Sequence, residues 1–112
     1  MKLDFFKYQG TGNDFIILDN RKSQHAALTG PVIRFLCDRR FGIGADGLML
    51  LNSRSDYDFE MKYYNADGNE SSMCGNGGRC LVKFAYETGI IRTTYRFIAV
   101  DGEHEAEIDE QG

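Results

Sequence analysis

The sequence predicts an α+β fold in which a sheet curls around one buried helix, and three observations carry this. Strand-like stretches dominate the chain. Only two stretches have helical character. One of those two is apolar all round its axis, so only a sheet wrapped about it could cover it. The chain has 112 residues, the size of one domain with one core. With 42% hydrophobic residues, eight Phe and six Tyr, it can fill that core without disulfide staples.

Taken in order, residues 3–8 and 14–18 are apolar enough to be strands. A helix is expected over 31–40: Pro31 suits a first helical position, Arg39 and Arg40 would occupy the last turn, and Gly42 would stop it. Residues 48–51 read as a strand. In residues 58–64, Phe59, Met61 and Tyr63 alternate with Glu60 and Lys62, the period of a half-buried strand. The second helix is expected over 77–87, stopping at Gly89, with Leu81, Val82, Phe84, Ala85 and Tyr86 pointing to every side. Residues 94–100 and 103–109 complete the strands, the latter setting Ala106 and Ile108 against Glu103, Glu105 and Glu107.

Charge and cysteine usage exclude several functions. The net charge is -4 and the isoelectric point is about 5.1. Residues 101–112 carry six acids and no Lys or Arg, while residues 1–100 hold 13 basic against 11 acidic side chains. No basic cluster interleaved with aromatics exists, so nucleic acid is not an expected partner. No apolar run approaches the ~20 residues of a membrane span, and MKLDFFKYQG lacks the apolar region of a signal peptide, so no membrane and a cytoplasmic location are expected. Cys37, Cys74 and Cys80, an odd number, are expected to be thiols.

The chemistry is expected in YYNADGNESSMCGNGGRC. Cys74 stands just before Gly75, Asn76, Gly77 and Gly78, and then the buried helix begins. The first amides of a helix lack internal partners, so they can hold a carboxylate, and the same positive end favours a thiolate. Glycines let the backbone approach such a ligand. The plainer alternative is a tight turn with a small buried thiol. Cys80 lies inside the helix and Cys37 beside Ile33 and Leu36, where core filling is the better account of each.

Other motifs fail on context. Gly42, Gly44 and Gly47 match a dinucleotide fingerprint, but a helix precedes them and a strand follows, the reverse of what that motif needs. Cys74 and Cys80 are too far apart for a paired metal site, and no His is near in sequence, so no metal is expected. The acceptor pattern at Asn69 reads as an ordinary loop, and NADGNE lacks the alternating carboxylates of a calcium loop.

The blocks QGTGNDFIILDN, RRFGIGADGL and YNADGNESSMCGNGGRC, in that order, resemble the signatures of the N-terminal half of the diaminopimelate epimerases. These are enzymes of lysine and peptidoglycan-precursor biosynthesis that use no cofactor. The resemblance spans nearly the whole chain. It implies one of two pseudo-symmetric halves, each a mixed sheet wrapped around a central helix, with the C-terminal half absent here. It further implies that Cys74 is one of two catalytic cysteines and that Gly75 and Asn76 present amides to the substrate α-carboxylate. Asn13 and Asn65 would hold the distal amino-acid end of diaminopimelate. No cofactor is implied, and a homodimer is compatible with it. A stand-alone carboxylate-binding or thiol-regulatory module without catalysis is the alternative.

Overall fold

The computed structural model describes residues 4–10, 12–25, 28–71 and 75–107. Its elements, in chain order, are β1 (Phe6–Gly10), β2 (Asn13–Asp19), α1 (Gly30–Cys37), β3 (Gly47–Asn52), β4 (Phe59–Asn65), β5 (Glu70–Ser71), α2 (Gly75–Glu87), β6 (Thr94–Ala99) and β7 (Gly102–Glu107). The strands form one sheet in the order β1-β2-β3-β4-β6-β7, with β5 hydrogen-bonded beside β4. The β2/β3 and β4/β6 pairs are parallel and the others antiparallel, so the sheet is mixed. This is the α+β class with a mixed sheet and two helices that the sequence indicates.

Each parallel pair needs a crossover, and each crossover carries a helix. Strand alternation then splits the apolar residues between two layers. On β2 and β3, Phe15, Ile17, Met49 and Leu51 join Leu81, Phe84 and Ala85 of α2 in one cluster. Ile16, Leu18, Leu48 and Leu50 turn the other way, against Ile33 and Cys37 of α1. These two strands are therefore buried on both faces, which is why they read as continuous apolar runs. Each fully buried Leu, Ile or Phe contributes about 1.5–3 kcal/mol of transfer free energy.

The helix boundaries differ from the expected ones. Helix α1 ends at Cys37, so Arg39 and Arg40 lie past its last turn. Asp38 ends it: its backbone is extended, and its carboxylate accepts from the amides of Arg40 and Phe41 at 2.8 and 2.9 Å. Residues that bond their own backbone in this way favour caps over helix interiors. Helix α2 stops at Gly89 as expected, where φ is +107° and the Gly89 and Ile90 amides bond back to Tyr86 and Ala85. Tyr86, however, is 43% exposed. It shares one solvent-facing stripe with Arg79, Lys83 and Glu87, while Gly77, Gly78, Cys80, Leu81, Val82, Phe84 and Ala85 are buried.

The two outer strands differ in chemistry. The hairpin β6-β7 turns over two residues, and β7 exposes Glu103, Glu105 and Glu107 along an outer strand of the sheet. Such charges discourage edge-to-edge pairing with another chain. Strand β1, at the other end, is tied to α2 by packing of Phe6 and Tyr8 against Phe84 and by the Tyr8 hydroxyl, which donates to Glu87.

Candidate active site

Register assembles the candidate residues without reference to any ligand. Asn13 is the first residue of β2 and Asn65 the last of β4. Phe15 pairs with Gly47, and Gly47 pairs in turn with Asn65. Both asparagines thus lie at one end of the sheet, on strands separated only by β3. They also share a face. Asn13 alternates with Phe15 and Ile17, and Asn65 with Met61 and Tyr63, all of which belong to or pack on the α2-side cluster.

Gly47 forms the floor between them. A Cβ there would come within 2.7 Å of the Tyr63 hydroxyl and 2.8 Å of the Tyr64 carbonyl, so any side chain would displace the Tyr63 ring. That ring meets Phe15 edge-on at 6.1 Å. An aromatic platform therefore spans β2 to β4 beneath the two asparagines.

The backbone of Asn65 closes the turn that follows it. Its amide donates to Asn69 O at 3.0 Å and its carbonyl accepts from the Gly68 amide at 2.9 Å. Gly68 has φ +90°, and a Cβ on it would lie 2.2 Å from Gly30 O, so this turn docks directly on the start of α1.

Asn13 is held differently. Its side-chain nitrogen donates to Asp46 Oδ2 at 3.2 Å, and the same oxygen accepts from the Asp14 amide at 3.1 Å. Arg39 spans two carboxylates, binding both oxygens of Asp14 at 2.6 and 3.0 Å and Asp46 Oδ1 at 3.1 Å. Lys7 adds a further bond to Asp14 at 3.0 Å. The Arg39 guanidinium, together with Lys7, holds the Asp14 carboxyl well below the usual carboxylate range. This clamp fastens the loop before β3 to the start of β2. Sequence reasoning noticed the glycines of GIGADG and missed Asp46 between them. Only the pairing of two strands reveals what Asp46 faces.

Gly75 and Asn76 are the first two residues of α2. Cys74 lies outside the described residues, and α2 begins immediately after it. Arg79 and Cys80, in the N-terminal half of α2, border a cleft of about 490 Å³ together with Gln9 and Gly10, and Gly10 is the residue paired with Asn13. That half of the helix accordingly faces the end of the sheet where Asn13 stands. The two described thiols are both enclosed. Cys37 is buried on the α1 side, where burial pushes its thiol up to about 11. Cys80 is only 5% exposed, within the α2 cluster. Both fill core.

This arrangement, two asparagines flanking an aromatic floor beside a glycine-led helix, can be compared with known proteins. The diaminopimelate epimerase family model matches residues 5–112, and the chain belongs to that family. A diaminopimelate epimerase from Flavobacterium psychrophilum is 59% identical over 110 residues, covering 98% of this chain and 42% of its own. One from Thermosynechococcus vestitus is 52% identical over 87 residues, covering 77% of this chain and 30% of its own. The chain thus spans less than half the length of these curated relatives. Among solved structures, a methylitaconate-delta-isomerase superposes with a TM-score of 0.72 at 13% identity, over 98% of this chain and 35% of that one. A phenazine biosynthesis protein of the PhzF family from Bacillus anthracis gives 0.65 at 18% identity, over 96% and 36%. These likenesses speak for the fold.

Proposed function

We propose that residues 1–112 are the N-terminal half of a cofactor-independent diaminopimelate epimerase that interconverts LL- and meso-diaminopimelate through two cysteines. In this reading the mixed sheet wraps around α2 as the central helix of its half, and a C-terminal half supplies the second thiol. The observation that carries the proposal is the convergence of Asn13, Asn65 and the glycine-led half of α2 on one end and one face of the sheet, in a chain of this family.

The chemistry requires two groups. Inverting an α-carbon means taking a weakly acidic proton from one face and delivering another to the opposite face, with no pyridoxal or metal to absorb the charge. The Cys74 thiolate takes the proton from carbon, and the electron pair remains on the α-carbon and its carboxylate. A thiol on the opposite face then gives its proton to that carbon, and the roles exchange in the reverse direction. The α2 amides at Gly75 and Asn76 offset the charge that grows on the α-carboxylate and keep Cys74 ionised. Cys37 and Cys80 are unsuited to the opposite-face role because both are enclosed in core. Asn13 and Asn65 hold the distal amino-acid end, where each amide offers one carbonyl and one NH2 group.

The test is mutational, in the two-half protein. Cys74→Ala abolishes turnover and α-proton exchange while substrate still binds. Retained epimerisation by this variant contradicts the assignment.

A further inference from the structure

One face of the molecule holds charges that the fold itself leaves unused. The loop after α1 folds back on the helix: the Ile43 amide donates to Leu36 O at 2.9 Å, and the Phe41 amide donates to the Asp38 carboxylate, also at 2.9 Å. This leaves the Phe41 ring 70% exposed, with the Arg40 guanidinium over it at 5.2 Å, so ring and charge project together. Beside Phe41, Asp38 borders a cleft of about 440 Å³ where the turn after β4 docks on α1. Pro31 and the 54% exposed Phe35 give that cleft an apolar lining, and Arg34, Asp38 and Asp67 give it charge. Hydrogen bonds from backbone amides hold both carboxyls below the usual range, and the nearby Arg34 adds to this, so both are ionised near neutrality. Arg34, Arg40, Asp38 and Asp67 nevertheless form no ion pair among the described residues, whereas Arg39 next to them is taken up by Asp14 and Asp46.

We propose that this face is an interface between two copies of the protein related by a two-fold axis, in which Phe41 of each copy enters the cleft of the other and Arg40 meets the carboxylates there. The surface itself specifies a second copy as the partner. It carries both members of one contact: a projecting aromatic ring topped by a guanidinium, and an apolar cleft rimmed by Asp38 and Asp67. A two-fold arrangement uses each member twice and closes, so the assembly stops at two. Aromatic rings and arginine are enriched in contacts of this kind, and charge pairing fixes the register of the apolar part. The contact uses neither Asn13 nor Asn65, so it is independent of the catalytic reading above.

Size-exclusion chromatography of the two-half protein with light-scattering detection tests this. The wild type runs with twice the mass of one chain and dissociates on dilution. Phe41→Ser, which removes an exposed ring and keeps the melting temperature, raises the dimer dissociation constant about thirtyfold or more. Arg40→Glu and Asp67→Arg each do the same, because either change sets like charges against each other twice. An equimolar mixture of these two variants dimerises again, since one charge pair is then exchanged and the other is native. A wild type that stays monomeric at every concentration overturns the proposal. Growth beyond two copies, a dimer that any of the three variants leaves intact, or a mixture that stays monomeric overturns it as well. Asp67 also accepts from the Asn69 amide at 2.9 Å, so Asp67→Arg can unfold the turn. In that event Phe41→Ser and Arg40→Glu decide: both must be folded monomers, and a dimer in either contradicts the proposal.

Discussion

At the scale of single residues, the two described cysteines are both buried. Cys37 is buried against Ile33, and desolvation pushes its thiol up to about 11, so little thiolate forms near neutrality. Cys80 is enclosed in the α2 cluster. Cys74, which precedes the glycine-led start of α2 in the sequence, is expected under the proposed function to titrate below the ~8.5 of a free thiol. Alkylation followed by mass spectrometry across about pH 6 to 9 should label Cys74 first, with Cys37 and Cys80 lagging until the chain unfolds. Equal labelling of all three would remove the basis for choosing Cys74. For Asn65, the turn is closed by its backbone, so Asn65→Ala is expected to keep the fold. Its cost should appear as about 1–3 kcal/mol of transition-state binding, roughly tenfold to a hundredfold in kcat/KM of the two-half protein. A fall in melting temperature large enough to explain the lost activity would return Asn65 to a purely structural role.

At the scale of elements, two joints hold the site in shape. One is the contact between the turn after β4 and the start of α1. Gly68→Ala forces a side chain onto a backbone at φ +90° and into Gly30 O, so it should destabilise the fold by about 1–3 kcal/mol. A thermal melt matching wild type would show that the turn does not dock there. The other is the Asp14 clamp. Because the Asp14 pKa is lowered on folding, its contribution is fully present above the ordinary carboxylate range near ~4 and is lost as pH falls through its depressed folded value. Asp14→Asn should therefore melt a few degrees or so below wild type near neutrality, and the gap should close as the pH is taken well below ~4. A gap independent of pH would mean that the carboxylate charge contributes nothing to the clamp.

The same joints show what the sequence could and could not reveal. The alternation of Phe59, Met61 and Tyr63 announced β4, and the apolar runs of β2 and β3 announced strands, though not that both their faces are covered. The strand β5 was missed: two residues, Glu70 and Ser71, are too few to show a period. The Asn-Ala-Asp-Gly-Asn turn before it was the available hairpin signal. Arg39 was expected inside α1 because helix ends favour cations, yet Asp38 ends the helix earlier and frees Arg39 to span Asp14 and Asp46. Side-chain bonds between residues 25 and 33 apart, such as Arg39 to Asp14 and Asp46 to Asn13, depend on strand pairing and leave no local pattern.

At the scale of the whole molecule, the sheet has one helix over each of its two faces, and the candidate site lies at one end of the α2 face. Cys37 and Cys80, the two cysteines among the described residues, are enclosed in core. The chain also spans 42% and 30% of two curated relatives' lengths. The central claim is that these 112 residues supply one face of a two-faced proton transfer. It is tested by incubating the pure 112-residue chain, and separately the protein with both halves, with LL-diaminopimelate in deuterated water and following the α-carbon by NMR. The two-half protein should produce the meso isomer with deuterium at the inverted carbon, and the 112-residue chain should produce none. Inversion with α-deuterium incorporation by the 112-residue chain alone would contradict the claim.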